Sequence, residues 1–211
     1  MPDVVIVGGG HAAGQAAASI RQEGFEGELI LIGAEPHIPY QRPPLSKQYL
    51  AGEQSLDKVF LRPEKFYVDR TIDVRTGITV ENIDREGRFL ACSDGSLVAY
   101  DQLLLATGSR ARRLDLPGID LDGVYTLRTI ADVDKIRIDM ESASRMVIVG
   151  GGYIGLEVAA VTTATPVQVT ILEMEERILE RVTHPFMSMF YHELHNARGV
   201  DIRTRARASA F

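Results

Sequence analysis

The chain has one cysteine, Cys92, in 211 residues. A single thiol cannot close an internal disulfide. No CxxC pattern or paired histidines lie near it, so Cys92 reads as a small residue on a strand, and a reducing, cytoplasmic compartment is the expectation. Positive charge is also scarce: 23 Lys and Arg stand against 29 Asp and Glu, a net charge of -6. A general nucleic-acid binder needs basic surface to neutralise phosphates, so that class is excluded. No apolar run is long enough to span a membrane. The chain enters its first strand at Asp3 without a charged, cleavable leader, so no secretory signal is expected. His184, His192 and His195 have no ligand spacing that suggests a metal site, and His192 and His195 are expected on the surface. What remains is ordinary for a soluble globular protein: 45% apolar and 25% charged residues, in a length that suits one large or two small domains.

One phrase is written twice. Val-Ile-Val-Gly-Gly-Gly occupies residues 5–10 and again 147–152. Before the first copy, Asp3 to Val7 is apolar on both faces, as a buried parallel strand requires. An Ala-rich helix is predicted over 12–22, with Gly24 past its end, and a second strand over 28–32. Residues 36–44 are Pro-rich, and a short helix should start at Pro43 or Pro44 and run toward Leu50. Another short helix is predicted over 63–69. Short strands follow between Thr71 and Tyr100, with hairpin turns at 84–87 and 93–96. A strand over 102–106 ends in Thr107-Gly108. Residues 110–118 read as a linker. A helix over 130–140, a strand over 146–149, a helix over 154–163 and a strand over 167–172 form the second copy. A helix over 185–197, capped by Thr183 or His184 and followed by Gly199, and a strand over 200–203 close the chain. The fold expected is α/β, with two Rossmann-like units over 1–112 and 113–211.

The second copy is a complete GxGxxG fingerprint: Gly150, Gly152 and Gly155. The first glycine permits the tight turn, the second lets backbone approach a pyrophosphate, and the third lets helix pack on strand; the phosphates then face free N–H groups at the helix start. An acid about 20 residues on should bind the ribose, and Glu173 is there. It would repel a 2′-phosphate and so favours NAD(H), although Arg177 lies close enough to weaken that preference. The first copy, Gly8, Gly10 and Ala13, is the Gly/Ala variant, and Glu35 takes the ribose position. His11 and Ala12 begin the helix beside the phosphates. Two dinucleotides on one chain point to a hydride donor and its acceptor, and NADH and FAD are that pair.

Several stretches are more specific: Pro39-Tyr40-Gln41-Arg42-Pro43-Pro44-Leu45-Ser46-Lys47, Leu105-Ala106-Thr107-Gly108, Leu127-Arg128-Thr129, and Gly150-Gly151-Gly152-Tyr153-Ile154-Gly155-Leu156-Glu157. With them the chain resembles the N-terminal half of the FAD-dependent NAD(P)H ferredoxin reductases, within the pyridine nucleotide-disulfide oxidoreductase superfamily. The resemblance implies two FAD/NAD(P)-binding units of the three-layer ββα kind. FAD would meet Glu35, Arg42, Pro44, Val80, Ala106, Thr107, Gly108 and Arg128 in addition to the first glycine turn. Lys47 would sit beside the flavin N5 edge. NADH would bind the second turn with Ile154, its nicotinamide carboxamide on Glu157 and Tyr153 over the flavin. Electrons would pass to a 2Fe–2S ferredoxin serving a monooxygenase or dioxygenase. Read without the family, Lys47 is a solvated charge, Arg128 a surface salt bridge, and Glu157 a carboxylate in the first turn of a helix, where the dipole favours it. Tyr153 reads equally as a packing aromatic at a helix start.

The chain also departs from that family. Residues 40–47 contain no cysteine, which disfavours thiol–disulfide chemistry. Pro166 replaces the Gly usual before the strand at 167. The length is about half that expected, so a truncated, non-catalytic dinucleotide-binding remnant is an alternative, as is a flavin-dependent NADH oxidase. An unfinished sheet should leave apolar surface and an edge for oligomerisation. The arginine-rich end, 203–211, should be solvated or frayed.

Overall fold

In the computed structural model, which describes residues 3–211, the first apolar run becomes β1 (Val4–Val7), buried along its length. Its two faces explain its composition. Val4 and Ile6 pack under α1 (His11–Gln22), whose Ala13 and Ala17 are small enough to bring helix and sheet together. Val5 and Val7 face the other way. Parallel neighbours are β2 (Leu29–Gly33), β3 (Asp73–Thr76) and β7 (Gln102–Leu105), in the order β3-β2-β1-β7. A three-stranded antiparallel sheet, β4 (Val80–Asp84), β5 (Phe89–Cys92) and β6 (Leu97–Ala99), covers the second face. Its Leu90, Cys92 and Val98 pack on Val5, Val7, Ile30 and Ile32. Each such side chain contributes about 1.5–3 kcal/mol on burial, so strand identity and layer assignment are decided together. Cys92 is a buried, free thiol in this layer. Both hairpin turns form as read: the Asp84 carboxylate accepts from the Glu86 and Gly87 N–H groups, and Asp94 from Ser96. Short helices α2 (Leu56–Val59) and α3 (Glu64–Asp69) complete this part.

The chain divides into two units, Met1–Arg42 with Ser55–Arg110, and Pro43–Gln54 with Ala111–Phe211. The division after Arg110 falls where the linker begins. The excursion of residues 43–54 into the second unit carries no pattern that marks it in the sequence.

In the second unit β8 (Arg145–Val149), β9 (Gln168–Leu172) and β10 (Asp201–Arg203) pair in parallel in the order β10-β9-β8. Helices α4 (Ile130–Met140), α5 (Tyr153–Thr162) and α6 (Pro185–Asn196) accompany them. Leu156 and Ala159 of α5 pack on Val169, Ile171 and Val200. Val147 and Val149 on β8 are 60% and 42% exposed. These two side chains leave apolar surface exposed on this sheet. Thr129 caps α4 in a reciprocal box with Asp132, and His184 caps α6, accepting from the Phe186 N–H at 3.3 Å. At Pro166 one backbone donor is missing; the hydroxyls of Thr162, Thr163 and Thr165 bond carbonyls of the ending helix.

One expectation is met in part here and one is overturned. The arginine-rich end is solvated, with Arg203, Arg205 and Arg207 exposed, but it is not frayed. Arg205 and Ala206 donate backbone N–H groups to Glu175 and Glu173, and Phe211 to Pro117 at 2.9 Å; the carbonyls after β9 give the tail partners that its composition does not reveal. His195 is not on the surface but 6% exposed. Burial and the nearby Arg198 push its pKa below the usual histidine value. On α6 the buried positions are Ser188 and His195, with Tyr191 partly packed, while Phe186, Met189 and Phe190 are exposed. The apolar pattern thus points away from the side that packs.

Candidate functional site

The first glycine turn is dictated by a close crossing. Gly8 has φ +134, and a Cβ there would lie 2.1 Å from the Ala106 carbonyl oxygen. Only hydrogen fits where the turn passes the end of β7, and that crossing places Ala106, with Thr107 and Gly108 exposed after it, beside the turn. In the second copy a Cβ on Gly155 would lie 2.2 Å from the Gly150 carbonyl oxygen. Gly10 and Gly152 are different: a Cβ at either would meet nothing within 4 Å. They leave open space at the N-caps of α1 and α5.

Those two helix ends are also electrostatically unfinished. Neither has a side-chain cap or an acid in its first turn, whereas α4 and α6 are capped by Thr129 and His184. Free N–H groups, the positive end of the helix dipole and an open cradle are what a pyrophosphate requires. The residues therefore fit dinucleotides at both turns. His11 and Ala12 are exposed at the start of α1, while Ala13 is fully buried against the sheet and serves the packing role. Ile154 is 53% exposed at the start of α5.

The two carboxylates expected to serve as ribose acids are each held by hydrogen bonds. The Glu35 carboxylate accepts from the Tyr40 hydroxyl and pairs with Arg42, whose guanidinium lies 4.6 Å from the Tyr40 ring centroid. Arg42 is thus tied to Glu35 and Tyr40. The Glu173 carboxylate accepts from the Gly151 N–H at 2.7 Å and the Glu175 N–H at 2.9 Å. Arg177 is committed elsewhere. It donates to Ser188 Oγ at 2.6 Å and to the carbonyls of Thr183 and Glu180 at 3.1 and 3.0 Å. Leu179, at φ +55, donates its N–H to the Gly151 carbonyl and fastens this loop to the glycine turn.

The third cluster joins residues far apart in sequence. Lys47 Nζ lies 2.8 Å from Glu157 Oε1, and the buried Ser46 donates its hydroxyl to Glu157 Oε2. Glu157 is not in the first turn of its helix, since α5 begins at Tyr153 with no acid in that turn. It stands one turn further on, and Lys47 and Ser46, rather than the dipole, compensate its charge. The side chains of Lys47 and Glu157 remain 40% and 30% exposed. Such a pair contributes about 0–1 kcal/mol to stability, so stability alone does not explain the arrangement.

The other expected site residues are placed as follows. Tyr153 is 51% exposed and so does not act as a packed helix-start aromatic. The Pro44 carbonyl accepts from the N–H groups of Lys47 and Tyr49. Val80 begins β4 and packs against the β1–β2 face. Arg128 is half-buried just before α4, its N–H bonded to Asp132. Ser46, Tyr40 and Ser188 also position the charged groups, and Gly14 is a further close approach, where a Cβ would lie 2.6 Å from Pro39; none of the four is among the site residues expected from sequence. Ser46 and Tyr40 stand in the quoted Pro39-to-Lys47 stretch; Ser188 has no local signal. Among the described residues no helix is long and apolar enough to cross a membrane.

Two uncapped helix starts at glycine turns, each near a carboxylate held by hydrogen bonds, put the chain in the class of α/β proteins built on two dinucleotide-type turns. The chain belongs to the pyridine nucleotide-disulphide oxidoreductase family, whose model matches residues 2–211. That family uses FAD and NAD(P)H. It is 46% identical to a ferredoxin–NAD(P)(+) reductase of Sphingomonas sp over 97% of this chain and 50% of that one. It is 41% identical to the putidaredoxin reductase of Pseudomonas putida over 99% of this chain and 50% of that one. Among solved structures, putidaredoxin reductase in its covalent complex with putidaredoxin gives a TM-score of 0.93 at 41% identity, covering 100% of this chain and 51% of that one. The ferredoxin reductase for the CYP199A2 system of Rhodopseudomonas palustris gives 0.95 at 39% identity, covering 100% of this chain and 52% of that one. The chain spans about half the length of the curated relatives it matches.

Proposed function

We propose that this chain is the FAD- and NADH-binding part of an NADH-dependent ferredoxin reductase. The observation that carries the reading is the Lys47–Glu157 pair with Ser46 upon it. When bound, FAD supplies a hydride acceptor that can release electrons singly to a 2Fe–2S ferredoxin of a monooxygenase or dioxygenase. The uncapped N-terminus of α1 and the carboxylate of Glu35 would hold FAD, with Arg42 and Tyr40 fixing that carboxylate. The N-terminus of α5 and Glu173 would hold NADH. Lys47 keeps a positive charge close to Glu157. Lys47 and Ser46 hold one carboxylate oxygen of Glu157 each, and Glu157 offers its remaining lone pairs to a carboxamide N–H. The relatives named as ferredoxin reductases, and the absence of cysteine from residues 40–47, favour this chemistry over thiol–disulfide exchange.

The test is direct. The purified chain is expected to show flavin absorbance, alone or after addition of FAD, and to bleach with NADH under anaerobic conditions. A protein that stays colourless with added FAD makes it a non-catalytic remnant. Faster reoxidation by oxygen than by a 2Fe–2S ferredoxin would make it an NADH oxidase.

The preference for NADH over NADPH rests on Glu173, with Arg177 held away by Ser188 and two carbonyls. Glu173→Gln should improve the NADPH-to-NADH affinity ratio about 30-fold, because a doubly charged phosphate near one carboxylate is worth about 2 kcal/mol in water. Arg177→Ala should loosen the loop and weaken both nucleotides alike. Titration of each variant with both nucleotides reads the ratio; a selective loss of NADPH in Arg177→Ala would make Arg177 a phosphate ligand instead.

A further inference from the structure

Ser46 and Lys47 reach Glu157 from a short excursion of chain, residues 43–54, with little regular structure. A 3₁₀ turn, Pro43–Ser46, runs into further turns ending near Gly52. Its backbone bonds are local: Lys47 and Tyr49 both donate to the Pro44 carbonyl, and Ala51 donates to Lys47. The turn itself gives the ammonium one long contact, Lys47 Nζ donating to the Pro43 carbonyl at 3.3 Å, and a half-exposed ion pair adds little to it. The segment has a second fastening. Tyr49 is 5% exposed, and its hydroxyl donates to Asp134 Oδ1 on α4 at 2.8 Å. Arg137, about one turn on, lies 5.6 Å from the Tyr49 ring centroid. The same guanidinium covers Gly52, where a Cβ would meet it at 3.2 Å. Burial and the Asp134 carboxylate push the Tyr49 hydroxyl up to about 12, so it remains a donor at neutral pH.

We propose that Tyr49, held by Asp134, is the positioning residue that sets Ser46 and Lys47 against Glu157. Because one carbonyl, that of Pro44, receives the N–H groups of both Lys47 and Tyr49, a displacement of Tyr49 carries the lysine with it. Leu45 and Leu50, both buried, give the segment its apolar seat, but they are not directional. The Tyr49–Asp134 bond supplies the direction. The functional consequence rests on the proposed role of Lys47 and Glu157; the geometric claim does not.

The chain has four lysines, Lys47, Lys58, Lys65 and Lys135, so methylation with 13C-formaldehyde gives a lysine spectrum simple enough to assign by single Lys→Arg variants. In the otherwise unchanged full chain, without flavin, Glu157→Gln should shift the Lys47 signal alone. With Tyr49→Phe the Lys47 signal should move toward that of an exposed lysine, and adding Glu157→Gln should then shift it no further. Asp134→Asn should reproduce this and serves if Tyr49→Phe does not fold. Thermal melting is recorded in parallel. A variant that melts lower yet keeps the Glu157-dependent shift makes Tyr49 a stabilising residue only and overturns the proposal, as does a Lys47 signal that does not move. Because no flavin enters the measurement, failure to bind FAD would end the functional reading without touching this result.

Discussion

Lys47→Met is expected to leave the fold intact and to slow the bleaching of bound flavin by NADH about 100-fold. The first half follows from exposure. The Lys47 side chain is 40% exposed and its partner Glu157 30%, and pairs of that kind contribute about 0–1 kcal/mol. Met keeps most of the apolar stem, so packing along the 3₁₀ turn survives. The second half follows from position. A charge that is nearly worthless for stability gains value if negative charge develops beside it in a partly desolvated site. Removing one such pre-organised group costs about 2.7–4 kcal/mol, or about 100- to 1000-fold in rate. The lower end applies here because the pair is still reached by water. Glu157→Gln separates the two roles: it should weaken NADH binding more than the rate at saturation. Stopped-flow absorbance across NADH concentrations measures both quantities. A Lys47→Met rate within about threefold of the parent would remove Lys47 from the chemistry, since that is below the smallest effect such a group exerts.

How much of this was legible beforehand depends on the range of the interactions. The apolar run at 4–7 predicts a strand buried on both faces, and both layers around β1 are there. The duplicated glycine phrase predicts two strand–turn–helix units, and Glu35 and Glu173 lie where the spacing puts them. These features are written within about 30 residues, the length of one βαβ unit. What escaped is long-range or directional. Ser46 meets Glu157 across 111 positions, so nothing local assigns residues 43–54 to the second unit. Arg177 is four residues past Glu173, but spacing does not say which way its side chain turns. Its best partner, Ser188, is a small polar residue on the buried side of α6. His195 was misplaced for the same reason: α6 buries Ser and His while it exposes Phe and Met, which inverts the usual amphipathic rule. The absent caps on α1 and α5 were visible in principle, as glycines at helix starts without nearby acids. They gained meaning only beside the caps that α4 and α6 do have.

The glycines of the second turn should separate binding from folding. Gly155→Ala places a Cβ 2.2 Å from the Gly150 carbonyl oxygen. Gly150 lies in the turn after β8 and Gly155 in the first turn of α5, so neither backbone can move without unseating β8 or α5. Overpacking of this kind costs about 1–3 kcal/mol or more, a large share of the about 5–15 kcal/mol that holds a domain folded. The expected result is a marked loss of stability in the second unit, with NADH binding lost as a consequence. Gly152→Ala is the contrasting case. Its Cβ meets nothing within 4 Å, and its backbone, φ -80 and ψ -179, suits any residue. Replacing an N-cap glycine by alanine costs about 1 kcal/mol or less. Yet the methyl fills the space that lets a pyrophosphate approach the N–H groups of α5. Displacing the phosphate by one methyl should forfeit at least one charged hydrogen bond, about 1.5–3 kcal/mol, which corresponds to a loss of affinity of about 10- to 150-fold. Urea denaturation and NADH titration, run on both variants, read the two quantities separately. Gly155→Ala should fail in both, Gly152→Ala in binding alone. If Gly152→Ala bound NADH as the parent does, the open N-terminus of α5 would not be the nucleotide seat, however complete the fingerprint around it.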